Sequence, residues 1–325
     1  MKKPKHVVIS ILAVLFVFPL MGTFAKQPDS GIEVITTFDY PGTGNSTEPQ
    51  KITDKGDIVG IYLDSTGVSR GFIRYSNGTF SAPIVDPNDT VGFTEARGIN
   101  NPGTVCGDYA TADGNNHGFF LSGGAFTTYD IPGALSTDVF GINDPGDFTG
   151  TFSNDDVTQQ AFVSIHGTVT SFGVPAAVAT LAYDIDNSKK LVIGYYIDAS
   201  GTLHGYYRDT ALHFPIDPSG SVETILFGLN EKGWVVGRYA DSSGVTHGLL
   251  FVPPNGFATF DYPGSTFTSL NGINSQGLIC GRYVDASGIA HGFIARVNGT
   301  PSTKQAEMNA LNPSASARGV AKPAR

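Results

Sequence analysis

The stretch YVDASGIAHGFI, residues 283–294, decides the fold because it has five relatives in the same chain. They read YLDSTGVSRGFI, YATADGNNHGFF, FSNDDVTQQAFV, YIDASGTLHGYY and YADSSGVTHGLL, and they begin at Tyr62, Tyr109, Phe152, Tyr196 and Tyr239. Each copy follows a hydrophobic run that ends in glycine, and these glycines are spaced by 47, 43, 44, 43 and 44 residues. Self-similarity at a fixed period of this length indicates a repeat architecture.

Segments that resemble a second motif, T-x-x-x-G-I-N, support the same period and begin at Thr47, Thr94, Thr137, Thr180, Thr224 and Thr268. Six units of about 44 residues therefore fill residues 37–301. Each unit predicts four strands. Strand A ends at GIN, strand B ends at a D-x-S-G turn, strand C contains the His-Gly-Phe motif, and strand D closes on FDYPG or a variant. Aspartate and glycine at these turn positions suit tight reversals of the chain.

Four antiparallel strands in a unit of this length are typical of a β-propeller blade. We therefore predict an all-β fold, a six-bladed β-propeller of four-stranded antiparallel blades. Residues 32–39 form a lone strand D before the first unit, whereas the last unit supplies only strands A, B and C. The N-terminal strand is expected to complete the last blade and close the ring, because closure hides the sheet edges.

The two ends of the chain differ from the repeats. Residues 1–25 have the basic start, apolar core and small-residue cleavage site of a secretory signal peptide. The alternative is a membrane anchor, but Pro19 interrupts a core that is short for a full span. We expect the propeller at 26–301 and a disordered tail at 302–325, which is polar and aperiodic. The mature protein is then a secreted or periplasmic monomer with no membrane attachment.

The formal net charge of the chain is -9. An acidic body repels phosphate backbones, so nucleic acid is excluded as a partner. Carbohydrate and protein ligands are compatible with this charge.

The pattern GIN, VVG, Y-x-D-x-S-G and HGF resembles the bacterial extracellular HAF-repeat family, whose His-Ala-Phe motif is mostly His-Gly-Phe in this chain. The resemblance covers six repeats and implies an exported repeat protein. It implies no particular activity. The third copy departs most, since QQAFV replaces the HGF motif there.

The histidines of strand C share one repeat position: His117, His204, His247 and His291. Arg70 and Gln160 fill this position in the other two units. A catalytic base is needed once, so we predict a repeated structural contact with backbone or with an aspartate beside the B–C turn. Cys106 and Cys280 precede the strand B glycine in blades two and six, and we expect them to lie too far apart for a disulfide.

No catalytic residue and no metal ligand set is predicted, because nucleophile elbows, Walker loops and zinc spacings are missing from the sequence. Calcium is the one cofactor left open, since Asp155 and Asp156 lie close together without EF-hand spacing. The D–A connections vary most and are expected to share a face with the B–C turns. Variable loops on a repeated frame are the usual place for recognition. The hypothesised ligand-contacting rim consists of Glu48, Asp86, Asp89, Phe93, Glu95, Asp138 and Phe267.

Three functions are compatible with these features. The first is an exported, non-enzymatic binding or scaffold module for a carbohydrate, a peptide or a cell-envelope component. The second is a propeller hydrolase or lyase at the channel mouth, for which Glu48, Glu95 and Asp138 share one asymmetrically acidic repeat position. The third is a purely structural envelope or matrix protein. The absence of a catalytic set that occurs only once favours the first, and a fold alone does not decide function.

Overall fold

The structure is a computed structural model that describes residues 31–42, 46–155, 158–188, 191–209, 212–253 and 256–299. Within these residues the chain forms 23 β-strands and no helix. The predicted signal peptide and tail lie outside the described residues.

Strand β1 (Ile32–Phe38) precedes the repeats. Units 1 to 3 contain β2 (Ser46–Ile52), β3 (Ile58–Leu63), β4 (Ser69–Arg74); β5 (Thr94–Ile99), β6 (Val105–Ala110), β7 (Asn116–Ser122), β8 (Ala125–Tyr129); β9 (Ser136–Ile142), β10 (Phe148–Ser153), β11 (Gln160–Ile165), β12 (Thr168–Phe172). Units 4 to 6 contain β13 (Ala179–Ile185), β14 (Val192–Ile197), β15 (Leu203–Asp209), β16 (Leu212–Pro215); β17 (Glu223–Leu229), β18 (Val235–Ala240), β19 (Thr246–Val252), β20 (Gly256–Phe260); β21 (Phe267–Ile273), β22 (Leu278–Val284), β23 (Ala290–Val297). Consecutive strands within a unit pair antiparallel, so the predicted all-β fold with four-stranded antiparallel sheets is confirmed.

Unit 1 is the exception to four regular strands. After β4 its chain pairs with strand C only through isolated bridges, between Phe80 and Arg74 and between Ile84 and Gly71. Pro83 has no N–H to donate to a ladder, which explains the interruption. The prediction of a regular strand D is therefore wrong for this unit.

The N-terminal strand lies beside the sixth unit. β1 pairs antiparallel with β23, from Ile32 opposite Val297 to Phe38 opposite Gly292. The other end of β23 makes a parallel bridge to the start of β2. β1 thus occupies the place beside strand C that strand D occupies in other units.

The A strands contact one another in chain order, and β21 of the last unit also contacts β2 of the first. Glycine permits this close approach in four units. A Cβ on Gly98 would lie 2.8 Å from the Phe140 carbonyl oxygen of the next strand A. Units 1 and 4 carry Lys51 and Asp184 at the same position instead.

The core lies between neighbouring units. The aromatic or aliphatic residue of the HGF motif is fully buried in every unit, at Phe72, Phe119, Phe162, Tyr206, Leu249 and Phe293. One cluster joins Val236 and Leu250 of unit 5 to Leu270 of unit 6. Each unit therefore buries its apolar residues against the next, as expected for a repeat that cannot form a core alone.

Candidate functional site

The histidines of strand C bridge two parts of their own unit. In His247, Nδ1 lies 2.8 Å from Asp261 after strand D, and Nε2 lies 3.4 Å from Asp241 of the B–C turn. The equivalent contacts join His204 to Asp217 and Asp198, His291 to Asp39 and Asp285, and His117 to Asp130 and Thr111. The predicted contact with a turn aspartate is confirmed in three units, and in unit 2 a threonine replaces it.

A second repeated feature is the turn ring, the residue that follows GIN or its counterpart in each unit: Asp54, Asn101, Asp144, Asn187, Glu231 and Ser275. Five members donate their backbone N–H to the side chain of the next member, over 2.7 to 3.0 Å. The bond from Ser275 to Asp54 joins the last unit to the first. Residues of all six units line one cavity of about 60 Å³ at this end of the A strands.

The asparagine of GIN has two roles in this arrangement. Asn274 Oδ1 accepts the Leu278 N–H at 2.9 Å and so closes its own A–B turn. Its Nδ2 donates to the Thr53 carbonyl of the first unit, also at 2.9 Å. Asn100, Asn143 and Asn230 make the same bond to the following unit. The GIN motif therefore encodes a contact between units.

The side chains of Lys51 and Asp184 form an ion pair between units 1 and 4. Asp184 is almost fully buried and also accepts the Leu229 N–H at 2.8 Å. Burial lowers the pKa of the Lys51 ammonium group to about 8. Along the A strands this pair lies between the turn ring and the opposite end.

At that opposite end, each unit places one residue of strand A directly across from the residue after the strand B glycine. The six pairs are Glu48 with Ile61, Glu95 with Asp108, Asp138 with Thr151, Leu181 with Tyr195, Ile225 with Arg238, and Ser269 with Arg282. No two pairs are alike. Their charged members and Arg97 make up the mixed-charge cluster: Glu48, Glu95, Arg97, Asp108, Asp138, Arg238 and Arg282.

The arginines of this cluster are each held by carboxylates. Arg97 contacts Glu95, and its Nε lies 3.1 Å from Asp108 Oδ1. Arg282 contacts Glu48 of the first unit at 2.5 Å. In unit 5, Arg238 Nη2 lies 3.1 Å from Glu223 Oε1, just outside the cluster.

The acids of the cluster have different pKa values. Burial raises the pKa of Glu95 and of Asp108 to about 7, and that of Asp138 to about 6. Burial also opposes ionisation of Glu48, but Arg282 and the Ser46 hydroxyl outweigh it and lower the Glu48 pKa. Acids of one repeat position therefore differ in charge near neutral pH.

Aromatic rings complete the wall around these charges. The Phe267 ring lies 5.4 Å from the Arg238 guanidinium and 4.8 Å from that of Arg282. Phe140 stacks on Tyr183 at 4.6 Å between ring centroids, and the Arg97 guanidinium lies 5.5 Å from the Phe140 ring. Such contacts hold guanidinium groups against ring faces.

The structure brings together four of the hypothesised rim residues, since Glu48, Glu95 and Asp138 belong to the cluster and Phe267 packs on its arginines. The remaining three organise the D–A connection of unit 1. Asp86 is only 1% exposed, so it does not present its carboxylate at the surface as hypothesised. Asp89 accepts the backbone N–H groups of residues 91–93. Phe93 bridges to the start of β4.

Asp108, Arg238 and Arg282 were missed by the sequence-based hypothesis. They follow the strand B glycine, where the other units have Ile61, Thr151 and Tyr195. The strand B glycine is constant and was used to define the repeat, whereas the residue after it varies from unit to unit and was not compared. Comparing that column would have found all three.

Cys106 and Cys280 are free and buried, as predicted. Burial raises the pKa of both thiols. Within the described ranges, no three His, Cys, Asp or Glu side chains are grouped so that they could hold a metal ion. Asp156 lies outside the described residues, so the calcium alternative at Asp155 stays a prediction. No helix in the described part of the chain is long and apolar enough to cross a membrane.

No family model matches the chain, and no curated protein matches it. Similarity to solved structures is clear. The SapL1 lectin in complex with alpha methyl fucoside has a TM-score of 0.53 at 13% identity, over 81% of this chain and 98% of that one. A mutant of the Aleuria aurantia lectin in complex with Fucalpha1-6GlcNAc has a TM-score of 0.50 at 8% identity, over 77% and 91%. A TolB from Agrobacterium tumefaciens has a TM-score of 0.53 at 12% identity, over 78% and 91%. At these identities the likeness shows the fold alone, which is that of a β-propeller.

Proposed function

We propose that the six units form a closed, six-bladed propeller around a central channel. Three independent contacts between the ends of the chain support closure: β1 pairs with β23, β21 contacts β2, and Ser275 donates to Asp54. The shared cavity of the turn ring supports the count, because residues from every unit line it. The resemblance to HAF repeats is part of this proposal.

We further propose that the protein is an exported carbohydrate-binding module and that the mixed-charge cluster is its site. The observation that carries this proposal is the asymmetry of the cluster on a repeated frame. A contact that holds equal units together recurs in each of them, whereas a ligand is met by different groups from different units. The cluster has that second property.

The chemistry of the cluster suits a sugar. Sugar hydroxyls donate to carboxylates and accept from guanidinium groups, and charge-assisted hydrogen bonds of this kind are the strong ones. An aromatic ring such as that of Tyr183 would offer flat apolar surface to the C–H face of a pyranose ring. Two solved lectins of the same fold are described in complex with fucosides, which supports a carbohydrate ligand. Export rests on the signal-like residues 1–25.

A glycan array on the protein that lacks residues 1–25, followed by calorimetry on the best glycan, tests the proposal. We expect binding without turnover. Glu48→Gln should weaken it about 10- to 100-fold, the value of a hydrogen bond to a charged group. The matched control is Lys55→Ala, an exposed residue of the A–B turn at the opposite end, which should bind like the native protein.

Two outcomes would reject the proposal. Equal losses in Glu48→Gln and Lys55→Ala would remove the cluster as the site, and an array without any binding would remove the ligand class. Release of shorter products from the bound glycan would instead identify the hydrolase or lyase alternative.

A further inference from the structure

The charges of the mixed-charge cluster do not balance at units 2 and 3. Arg282 is held by Glu48, and Arg238 is held by Glu223. Among the described residues, Arg97 is the one cation that contacts the acids of unit 2, and it is shared between Glu95 and Asp108. Asp138 of unit 3 receives the Asn116 amide at 2.8 Å. The carboxyl groups of Glu95, Asp108 and Asp138 therefore have one guanidinium, that of Arg97, to balance their charge.

A buried oxygen atom marks the same place. Asp108 is fully buried, and among the described residues its Oδ2 atom has no hydrogen-bond partner. An unpaired carboxylate oxygen in the interior is costly, so it calls for a donor or a positive charge. Asp138 lies near enough to raise the Asp108 pKa, after burial itself. The oxygen is thus part of the same electrostatic group as Asp138 and Glu95.

An aromatic wall adjoins these acids. Phe140 follows Asp138 by two residues on β9 and stacks on Tyr183. Burial raises the pKa of the Tyr183 hydroxyl, Arg97 and Arg238 oppose that rise, and Asp138 and Asp108 add to it. A positive group here would gain from the carboxylates and from the ring faces together.

We propose that units 2 and 3 form a subsite for a protonated amine, and that the carbohydrate ligand is an amino sugar with a free amino group. The inference rests on the proposed carbohydrate-binding function. Glu95 and Asp138 are the side chains that would receive the ammonium group, and the bound charge would in turn favour the ionised form of Asp108 behind them. Tyr183 would pack against the sugar ring that carries the amine. A metal ion fits less well, because no suitable ligand group exists among the described residues.

The experiment compares two oligosaccharides of equal length by calorimetry at pH 6.5, a β-1,4 glucosamine tetramer and its fully N-acetylated counterpart. Acetylation removes the positive charge and keeps the backbone of the sugar. We expect the free amine to bind at least 10-fold more tightly. Asp138→Asn should bring the amine form down to the affinity of the acetylated form, so the ratio of the two affinities, rather than either affinity alone, is the readout.

The matched control is Glu33→Gln, which removes one negative charge from an exposed position on β1 and should leave the preference for the amine intact. If Asp138→Asn fails to fold, Glu95→Gln carries the same expectation. Thermal melts of each variant establish folding before binding is compared.

Each contrary outcome has its own meaning. Equal affinity for the two tetramers, or equal losses for both in Asp138→Asn, overturns the amine subsite while the array result for the proposed function stands. Binding of neither tetramer overturns it as well. Tighter binding of a lysine-containing peptide than of either tetramer would assign the subsite to a protein partner instead.

Discussion

The two ends of the A strands have different designs. At the A–B turns, the turn ring and the GIN asparagines make the same kinds of bond from one unit to the next. At the D–A end, the equivalent cross-strand pairs of the mixed-charge cluster all differ. The buried pair of Lys51 and Asp184 lies between these ends.

Under the proposed function, one end of the strands holds the units together and the other end binds the ligand. A bond that fastens one unit to the next is needed at every junction, so it is repeated with small variations. A ligand without sixfold symmetry is served by unlike groups, so its site breaks the repeat. In a protein of near-identical units, an equivalent position that varies in charge between units is therefore a better guide to function than a position that is constant.

The largest effect on stability is expected at the buried ion pair that lies between the two ends. Asp184→Asn should lower the free energy of unfolding by about 3 kcal/mol, because it leaves Lys51 buried without its counter-charge. Denaturant titration measures this. Adding Lys51→Met should restore most of the loss, since the double variant buries no charge that needs compensation. A double variant as unstable as the single one would contradict the role given to the ion pair.

The repeated end should respond next most strongly. Asn274→Ala removes the bond to Thr53 and leaves polar groups unpaired, so we expect a loss of about 1–3 kcal/mol in urea titrations. Asn274→Asp is the matched variant. It keeps the acceptor for Leu278, as Asp186 does for Leu191 in unit 4, and replaces the donor across the junction by a carboxylate oxygen that faces the Thr53 carbonyl. Native stability in this variant would show that the cross-unit bond contributes nothing.

The cluster should make stability depend on pH. The folded pKa of Asp138 is about 6, and those of Glu95 and Asp108 are about 7, all above the unfolded values of about 4. Their contribution is thus complete below about pH 4 and is lost as pH rises through 6 to 7. Asp138→Asn should reduce the fall in unfolding free energy between pH 5 and pH 8, by on the order of 1–2 kcal/mol. A slope equal to that of the native protein would count against a buried, titrating Asp138.

The smallest effect is expected at the histidines. The hydrogen bond to Asp261 raises the pKa of His247, although burial opposes it. Its stabilisation is then present below about pH 6.5 and is lost as pH rises through the folded pKa. His247→Gln should cost less than about 1 kcal/mol at pH 5.5, since the aspartates are partly exposed and screened, and almost nothing at pH 8.5. A larger cost at pH 8.5 than at pH 5.5 would reverse the assigned sign.

Much of the fold follows from local patterns. The spacing of the strand B glycines, the D-x-S-G turns and the alternation between them were enough to predict antiparallel four-stranded units. They also placed the free cysteines and the histidine contacts, because every copy of a motif reports on the same local geometry. Pro83 is the exception within unit 1, where a single missing N–H interrupts a strand that the repeat alone predicts.

Only part of the candidate site could be predicted from the sequence. Glu48, Glu95 and Asp138 were found because they share a repeat column. Asp86 was misplaced, because the sequence shows that a loop is variable and acidic but not which way its carboxylates turn.

What the amino-acid sequence determined by itself is the repeating unit, since turn residues and strand alternation act over a few neighbouring positions. What only the tertiary structure decided is which residues of different units meet. The pairing of Lys51 with Asp184, separated by 133 residues, and the grouping of Asp108 with Asp138 depend on how the units pack around their A strands. Such contacts depend on how one unit packs on the next. Residues that are close together in the sequence do not determine that packing, so no local pattern predicts it.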